Sequence, residues 1–543
     1  MAMTLAGIPD DFSEMVDSLV AVSYFKYPHH QADIRNKVLT LAASNLLPLV
    51  VVDNEEDNDA ETEERFIKRV VSLTYDGAPS NEAFSPDDTV RGISAEERRE
   101  RRDVSQKYRT IEETKCFCHR NVNILVHIYT DADNEVSAGY KRRIEAIYYF
   151  FNLISSSQKN EQVLIELQEA DVNRIGRVLL DVSVPVTRWN YNSRRLHRIV
   201  KLWTYASVLQ PETTDTVAKR ADWSNAKLAC EDSLVTMKFV LPVLSRFQYW
   251  IVYFQSTLQP TISLVLYMIA DLEKVIDNAA EAASTAADEG NDQAAEAETF
   301  LSRILVEVQT EYLLEKQNDY LKLAQLLDPR VNDRTGSAAE IDRLLFLAFQ
   351  AYVPAAEAPN EGLMIDDIFA QPVQPLLAIQ TQEIASWKSA MRKVRKVCEN
   401  DVVEYYQNAD RRLDVNVLQF YAEFSQTFPN LKIAIQKILG QPAASTSCER
   451  ALSFAGLVIS ARRTGLTPER AEKLILSAAR ARMVRRKNIP GPKLPTLGTL
   501  DESDLFLGDD FDELDQGEIR FRDNADFQGR PVNVEGWEAF LDE

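Results

Sequence analysis

Over most of this chain the apolar residues recur at helical spacing, and the exception is near the start. The apolar stretch from Leu19 to Phe25 predicts a strand. Between Ala32 and Asn45, Ile34, Val38 and Leu41 then mark one face of a helix. Leu46 to Val52 is a Val-rich apolar run, the pattern of a strand buried on both faces of a parallel sheet, and it ends in Asp53. A carboxylate at the carboxyl end of a central strand projects into the crevice where open α/β sheets bind ligands. Residues 76–105 are polar, with Pro79 and Pro86, and predict a loop followed by a charged helix.

Helical periodicity then holds from Ala138 to Leu180, where Tyr148, Tyr149, Phe150 and Phe151 are candidate core, and through most of Ile199 to Leu327. Within the latter, Asp277 to Ala297 is rich in Ala and Glu around Gly290 and predicts a long exposed connection. Residues 335–380, with Pro354, Pro359, Pro372 and Pro375, predict an extended surface segment. An amphipathic helix over Ile384 to Tyr406 and another from Leu431 to Leu439 bring the chain to Gln441.

From Gln441 to Ala479 the pattern is two short helices joined by a basic turn. Thr446 followed by Glu449 is a capping box, and Leu452 and Ala455 share a face before Gly456 can end the helix. Thr467 and Pro468 supply an N-cap and a first helical residue. Ala471, Leu474, Ile475 and Ala478 then recur at i, i+3, i+4 and i+7, so this helix buries one stripe.

The 543 residues allow two or three domains with sizeable cores. Five cysteines, odd in number and sparse, give no disulfide framework and suit a reducing compartment. No positively charged and apolar signal segment opens the sequence. Phe247 to Ala270 carries no charge and is long enough to span a bilayer, but Gln248, Gln255, Gln259 and Pro260 interrupt it. A buried helix pair broken at Pro260 is the reading taken, and no membrane partner is expected. The net charge of -22 argues against a protein that coats nucleic acid, yet it is uneven. Residues 501–543 hold 15 Asp or Glu against 3 Arg and read as a disordered acidic tail. Arg194, Arg195 and Arg198, among other clusters, are locally basic.

Ser447-x-Glu449-Arg450, Ser453, Ala455-Gly456, Arg462-Arg463, Leu466 and Thr467-Pro468-Glu469 resemble the C-terminal dimerisation region of hAT-superfamily DNA transposases, in order and spacing. Upstream, Asp53-Asn54 with Asn58-Asp59, the Cys116-x-x-His119 element, Thr187-Arg188-Trp189-Asn190, Pro260 to Leu264 and Leu326 to Arg330 resemble further landmarks of that family. A departure occurs after His119, where the family's asparagine position is Val122 and the nearest asparagines are Asn121 and Asn123. No second Cys or His pair at zinc spacing accompanies Cys116 and His119.

The resemblance implies an α/β RNase H-like core interrupted by a large all-α insertion. Residues 1–120 would form the N-terminal part of the core, 121–435 the insertion, 436–488 the C-terminal part with the dimerisation region, and 489–543 the tail. It makes Asp53 and Glu449 the second and third acids of a DDE site, which uses two divalent ions held by three carboxylates. It makes Trp189 a base-stacking residue beside Arg188, Arg194 and Arg195 on DNA. Leu452, Leu466, Leu474, Ile475 and Ala478 become dimerisation residues. Two bland readings stay open: Glu449 as a simple cap of its own helix, and Trp189 as packing of the insertion. In the family the first aspartate lies on the opening strand of the core, and residues 7–33 resemble the segment just beyond that strand. No finger-like Cys and His set occurs either. The expectation is therefore a nuclear protein that dimerises with itself or with related hAT proteins. Residual DNA binding, no catalysis and no cofactor are expected, with Mg2+ required only if it cuts DNA. An active transposase given by an incomplete sequence, and a domesticated regulator or scaffold using its acidic tail, are the alternatives.

Overall fold

The computed structural model describes residues 2–7, 16–22, 72–75, 99, 112–131, 133–170, 189–211, 215–255, 259–331, 336–352, 378–400, 415–445, 470, 471, 473–475 and 477. These are predominantly helical. Strand β1 (Ala2–Gly7) pairs antiparallel with β2 (Val16–Val22), which begins three residues before the strand predicted from Leu19. Strands β3 (Ser72–Tyr75) and β4 (Glu112–Lys115) form a parallel pair. The predicted strand ending at Asp53, residues 446–469 and the acidic tail lie outside the described residues.

Among the described residues the chain then runs through helices α1 (Phe117–Thr130), α2 (Glu135–Ser156), α3 (Gln158–Ala170), α4 (Trp189–Ala206), α5 (Val217–Phe254), α6 (Val265–Asp288), α7 (Asp292–Glu311), α8 (Asp319–Leu327), α9 (Ala338–Tyr352), α10 (Ala378–Asn400), α11 (Val417–Phe424) and α12 (Pro429–Leu439). The chain divides into two compact units. Residues 1–142, 250–281 and 298–498 form the first, and residues 143–249, 282–297 and 499–543 form the second.

In the first unit, α8 packs on the short 3-10 turn Ile262–Leu264 and on α9 and α12, while α10 packs on α9 and α12. Local chemistry starts these helices. Asn318 accepts the Leu321 amide at 3.1 Å to cap α8, and Asn416 accepts the Gln419 amide at 3.1 Å to cap α11. Helix α12 has Pro429 at its first turn and Phe428 before it, so its free amides are met from another helix. The Glu383 carboxylate on α10 accepts the Asn430 amide at 3.0 Å, the Leu431 amide at 2.9 Å and the Asn430 side chain at 2.7 Å. The core between these helices holds Leu327, Leu345, Phe349, Trp387, Tyr421, Leu431 and Ile438, all buried.

The second unit contains the contact of α3 with α4, and an aromatic cluster in which Phe150 meets Trp203 at 5.9 Å and Trp223 at 5.3 Å, both edge-on. Arg143 bridges Glu296 and Asp232, and Gln293 donates to Asp232 at 2.7 Å.

Three expectations change. The Ala-rich stretch 277–297 is a helical hairpin, α6 turning into α7 at Gly290, whose φ of 92° is left-handed. Part of its alanine content is core, since Ala283, Ala294 and Ala297 are fully buried, while Ala282 and Ala295 are exposed. Residues 338–352, expected to be extended, form α9, because Leu344 to Phe349 is an apolar run buried on the helix. Of the aromatic run at 148–151, Phe150 and Phe151 are buried, but Tyr149 is exposed and donates to Asp222 at 2.9 Å. The uncharged stretch behaves as expected. Helix α5 ends at Phe254 and α6 begins at Val265, with Pro260 between. Among the described residues no helix is long and apolar enough to cross a membrane.

Candidate functional site

The turn from β4 into α1 carries the Cys116-x-x-His119 element. Phe117, Asn121, Ile124 and Ile128 fall at i, i+4, i+7 and i+11, which buries one side of α1. Cys116 sits at the N-cap position, yet its side chain bonds to none of the amides of α1. Its sulfur instead accepts the Ser445 backbone N–H at 3.3 Å. The Cys118 side chain, then His119 and the Ser445 amide, hold the Cys116 thiol well below its usual pKa, against the opposing effect of burial. Cys118 donates to the Ile251 carbonyl at 3.5 Å.

The partner segment, Gln441 to Ser445, is fixed along its length. Gln441 donates to Thr114 Oγ1 at 2.9 Å and accepts from the Tyr320 hydroxyl. Ala443 accepts the Phe117 N–H at 3.0 Å and gives its own N–H to Thr261 Oγ1 at 3.0 Å. Gln441 and Ala443 are both buried, so these bonds form away from water. Nothing in the periodicity announced Gln441, Thr114 or Tyr320, since each contributes one polar side chain to a contact distant in sequence.

Of the two asparagines nearest the family's asparagine position, the structure buries Asn121 and exposes Asn123. Asn121 accepts from the Tyr312 hydroxyl at 2.8 Å. Beside it, Arg120 bonds to Glu311 at 2.6 Å and to Glu315, and its guanidinium lies over the rings of Phe117 and Tyr312. Burial opposes the charge on Arg120, but Glu315 and its neighbours outweigh it and raise the pKa.

The two landmark sequences at 260–264 and 326–330 meet. Asp328 accepts Ser263 Oγ at 2.6 Å and pairs with Arg330 at 2.6 Å, and both charged side chains are almost wholly buried. Arg330 also donates to the Tyr253 hydroxyl at 2.9 Å and to the Pro260 carbonyl at 2.8 Å. Asp328 leaves α8 in an extended conformation, as a residue before proline must.

Trp189 is the first residue of α4, as expected, and Arg194 and Arg195 lie within that helix. Arg198 and Lys201 are half-buried on α4, whose buried residues include Leu196, Ile199, Leu202 and Ala206. Arg188, Asp53, Glu449, Leu452, Leu466 and Ala478 lie outside the described residues. Arg470, Ala471, Lys473, Leu474, Ile475 and Ser477 are helical. Ile475 is 1% exposed and Ala471 6%, so this stripe is covered within a single chain, whereas Leu474 is half-buried. Among the described residues no cluster of His, Cys, Asp and Glu could hold a metal ion.

These observations define a predominantly helical protein in which α11, α12 and residues 441–445 belong to the first unit. Residues 399–479 match the model of the hAT family C-terminal dimerisation region. The chain thus carries a region of the hAT-family C-terminal dimerisation type, which points to self-association. The match takes in α11, α12, the 441–445 segment and the helical residues 470–477. No curated protein matches the chain.

Proposed function

We propose that this protein is descended from an hAT transposase and that its retained activity is self-association through residues 441–482. The observation that carries the proposal is the family match at 399–479, whose described helices are ordered and packed in the first unit. On this reading Leu452, Leu466, Leu474 and Ala478 contribute to the contact between copies, and Ile475 holds the helix to its own protomer. The parallel pair β3–β4, running directly into α1, supports a place for these strands in an RNase H-like core with 436–488 as its C-terminal part. The intervening helices through residue 435 then form the insertion.

DNA is a second partner in this proposal, and nuclear location goes with it. Its support is α4, with Trp189 as its first residue and Arg194, Arg198 and Lys201 in its sequence. Arg188 and Arg195 are the further basic residues that the resemblance places beside Trp189. Asp53 and Glu449 are the acids the resemblance supplies for Mg2+. A two-metal site uses three carboxylates, so the proposal rests on association and not on cleavage.

Light scattering on the purified chain tests it. The wild type is expected to be a dimer or larger, and L474D a folded monomer. A monomeric wild type at micromolar concentration would refute the proposal.

A further inference from the structure

The five residues before the 446–479 stretch are held by three different parts of the first unit, and one of the holding groups is unusual. Polar groups from Thr114, Thr261 and Tyr320 would suffice to satisfy a crossing segment, yet the last bond, at Ser445, goes to a cysteine sulfur. Cysteine is a poor helix N-cap, and Cys116 does not cap α1. Its sulfur is fully buried and, beside the local Cys118 and His119, it accepts the distant Ser445 amide. The next residue, Phe117, gives its N–H to Ala443, so consecutive residues of the β4–α1 corner grip alternate residues of the segment. The two bonds fix Ala443 and Ser445 against the β4–α1 corner.

We propose that Cys116 is a positioning residue for self-association: with Phe117 it forms a notch that seats Ala443 and Ser445 and thereby sets the path of residues 446–479. The proposal rests on the self-association reading above, and it joins the Cys-x-x-His element to the dimerisation region. The lowered thiol pKa agrees with a sulfur that serves as an acceptor. Thr261 supports the same segment from its other side, through the Ala443 amide.

The test uses the full chain with C116V, which keeps volume but cannot accept, and C116S, which keeps an acceptor. T261V acts on the segment without touching the sulfur. Amide hydrogen exchange over residues 441–449, followed by mass spectrometry, reads the notch locally at any oligomeric state. Sedimentation equilibrium reads the association constant. C116V is expected to raise exchange at 443–445 and to weaken association, each about tenfold, the size of one buried hydrogen bond. T261V should act in the same direction, and C116S should recover most of the loss. Exchange in C116V equal to wild type would overturn the notch. Faster exchange with unchanged association would overturn its coupling to self-association. A wild type that never associates would overturn the self-association reading and the coupling together, while exchange alone still decides the notch.

Discussion

Asp328 and Arg330 are two opposite charges removed almost completely from water, at 0% and 2% side-chain exposure. Such a pair holds only while every hydrogen-bonding group around it is met, and here Ser263, Tyr253 and the Pro260 carbonyl meet them. Removing one partner leaves the other charge buried alone. D328A should therefore cost about 3 to 5 kcal/mol, read as a fall in the urea midpoint. The same logic separates two neighbouring residues of the C-terminal helix. Ile475 is 1% exposed, so I475D places an unpaired charge in the core and should unfold the first unit. Leu474 is half-buried, so L474D should leave the circular dichroism intact and change only the assembly state.

Between elements, the ties are carboxylates and guanidiniums set at helix ends. Glu383 on α10 caps α12 through two backbone amides, which is the place where a negative charge is most favourable. E383A should lower the stability of the first unit by about 1 to 2 kcal/mol. Arg343 on α9 bonds to Asp319 on α8 at 2.8 Å and to Glu340 at 2.7 Å. It holds Glu340 below its ordinary 4.5, and for Asp319 it outweighs burial and holds it below 3.8. Carboxylates depressed in the folded state add stability above their ordinary pKa values and lose it as pH falls through the folded ones. Stability should thus be flat from pH 7 to about 5 in respect of these groups and decline below about 4. R343M should flatten that acid limb in denaturation curves taken pH by pH. At the α6–α7 turn, an added Cβ on Gly290 meets nothing within 4 Å, so G290A should cost about 1 kcal/mol from backbone strain alone.

For the whole molecule, a net charge of -22 has to be reconciled with a DNA partner. Most of that charge need not face DNA, because binding is set by a local surface and not by the sum. Helix α4 carries Arg194, Arg198 and Lys201 at helical spacing in its sequence. If these residues meet phosphates, replacing Arg194 and Arg198 by Gln should weaken binding to duplexes of any sequence. It should also reduce the slope of log affinity against log salt by about 2. Fluorescence anisotropy over a salt series reads both, and an unchanged slope would remove α4 from the proposal.

Periodicity alone marked the helices that became α2, α3, α5, α8, α10 and α12 and parts of α4, α6 and α7, because an apolar stripe every three to four residues is a local property of the chain. The motif order from Ser447 to Glu469 likewise pointed to the dimerisation region that the family match contains. Composition misled where one residue type has two uses. Alanine at 277–297 suggested an exposed connection and proved to be a helical hairpin with Ala283, Ala294 and Ala297 buried, and the prolines beyond residue 353 masked the apolar run of α9. What the tertiary structure decided was which distant polar groups meet. Cys116 with Ser445, Glu383 with Asn430, and Tyr320 with Gln441 are single side chains that no period singles out. Each is defined by folding, since a buried polar group must find a partner and only the folded chain determines which one is near.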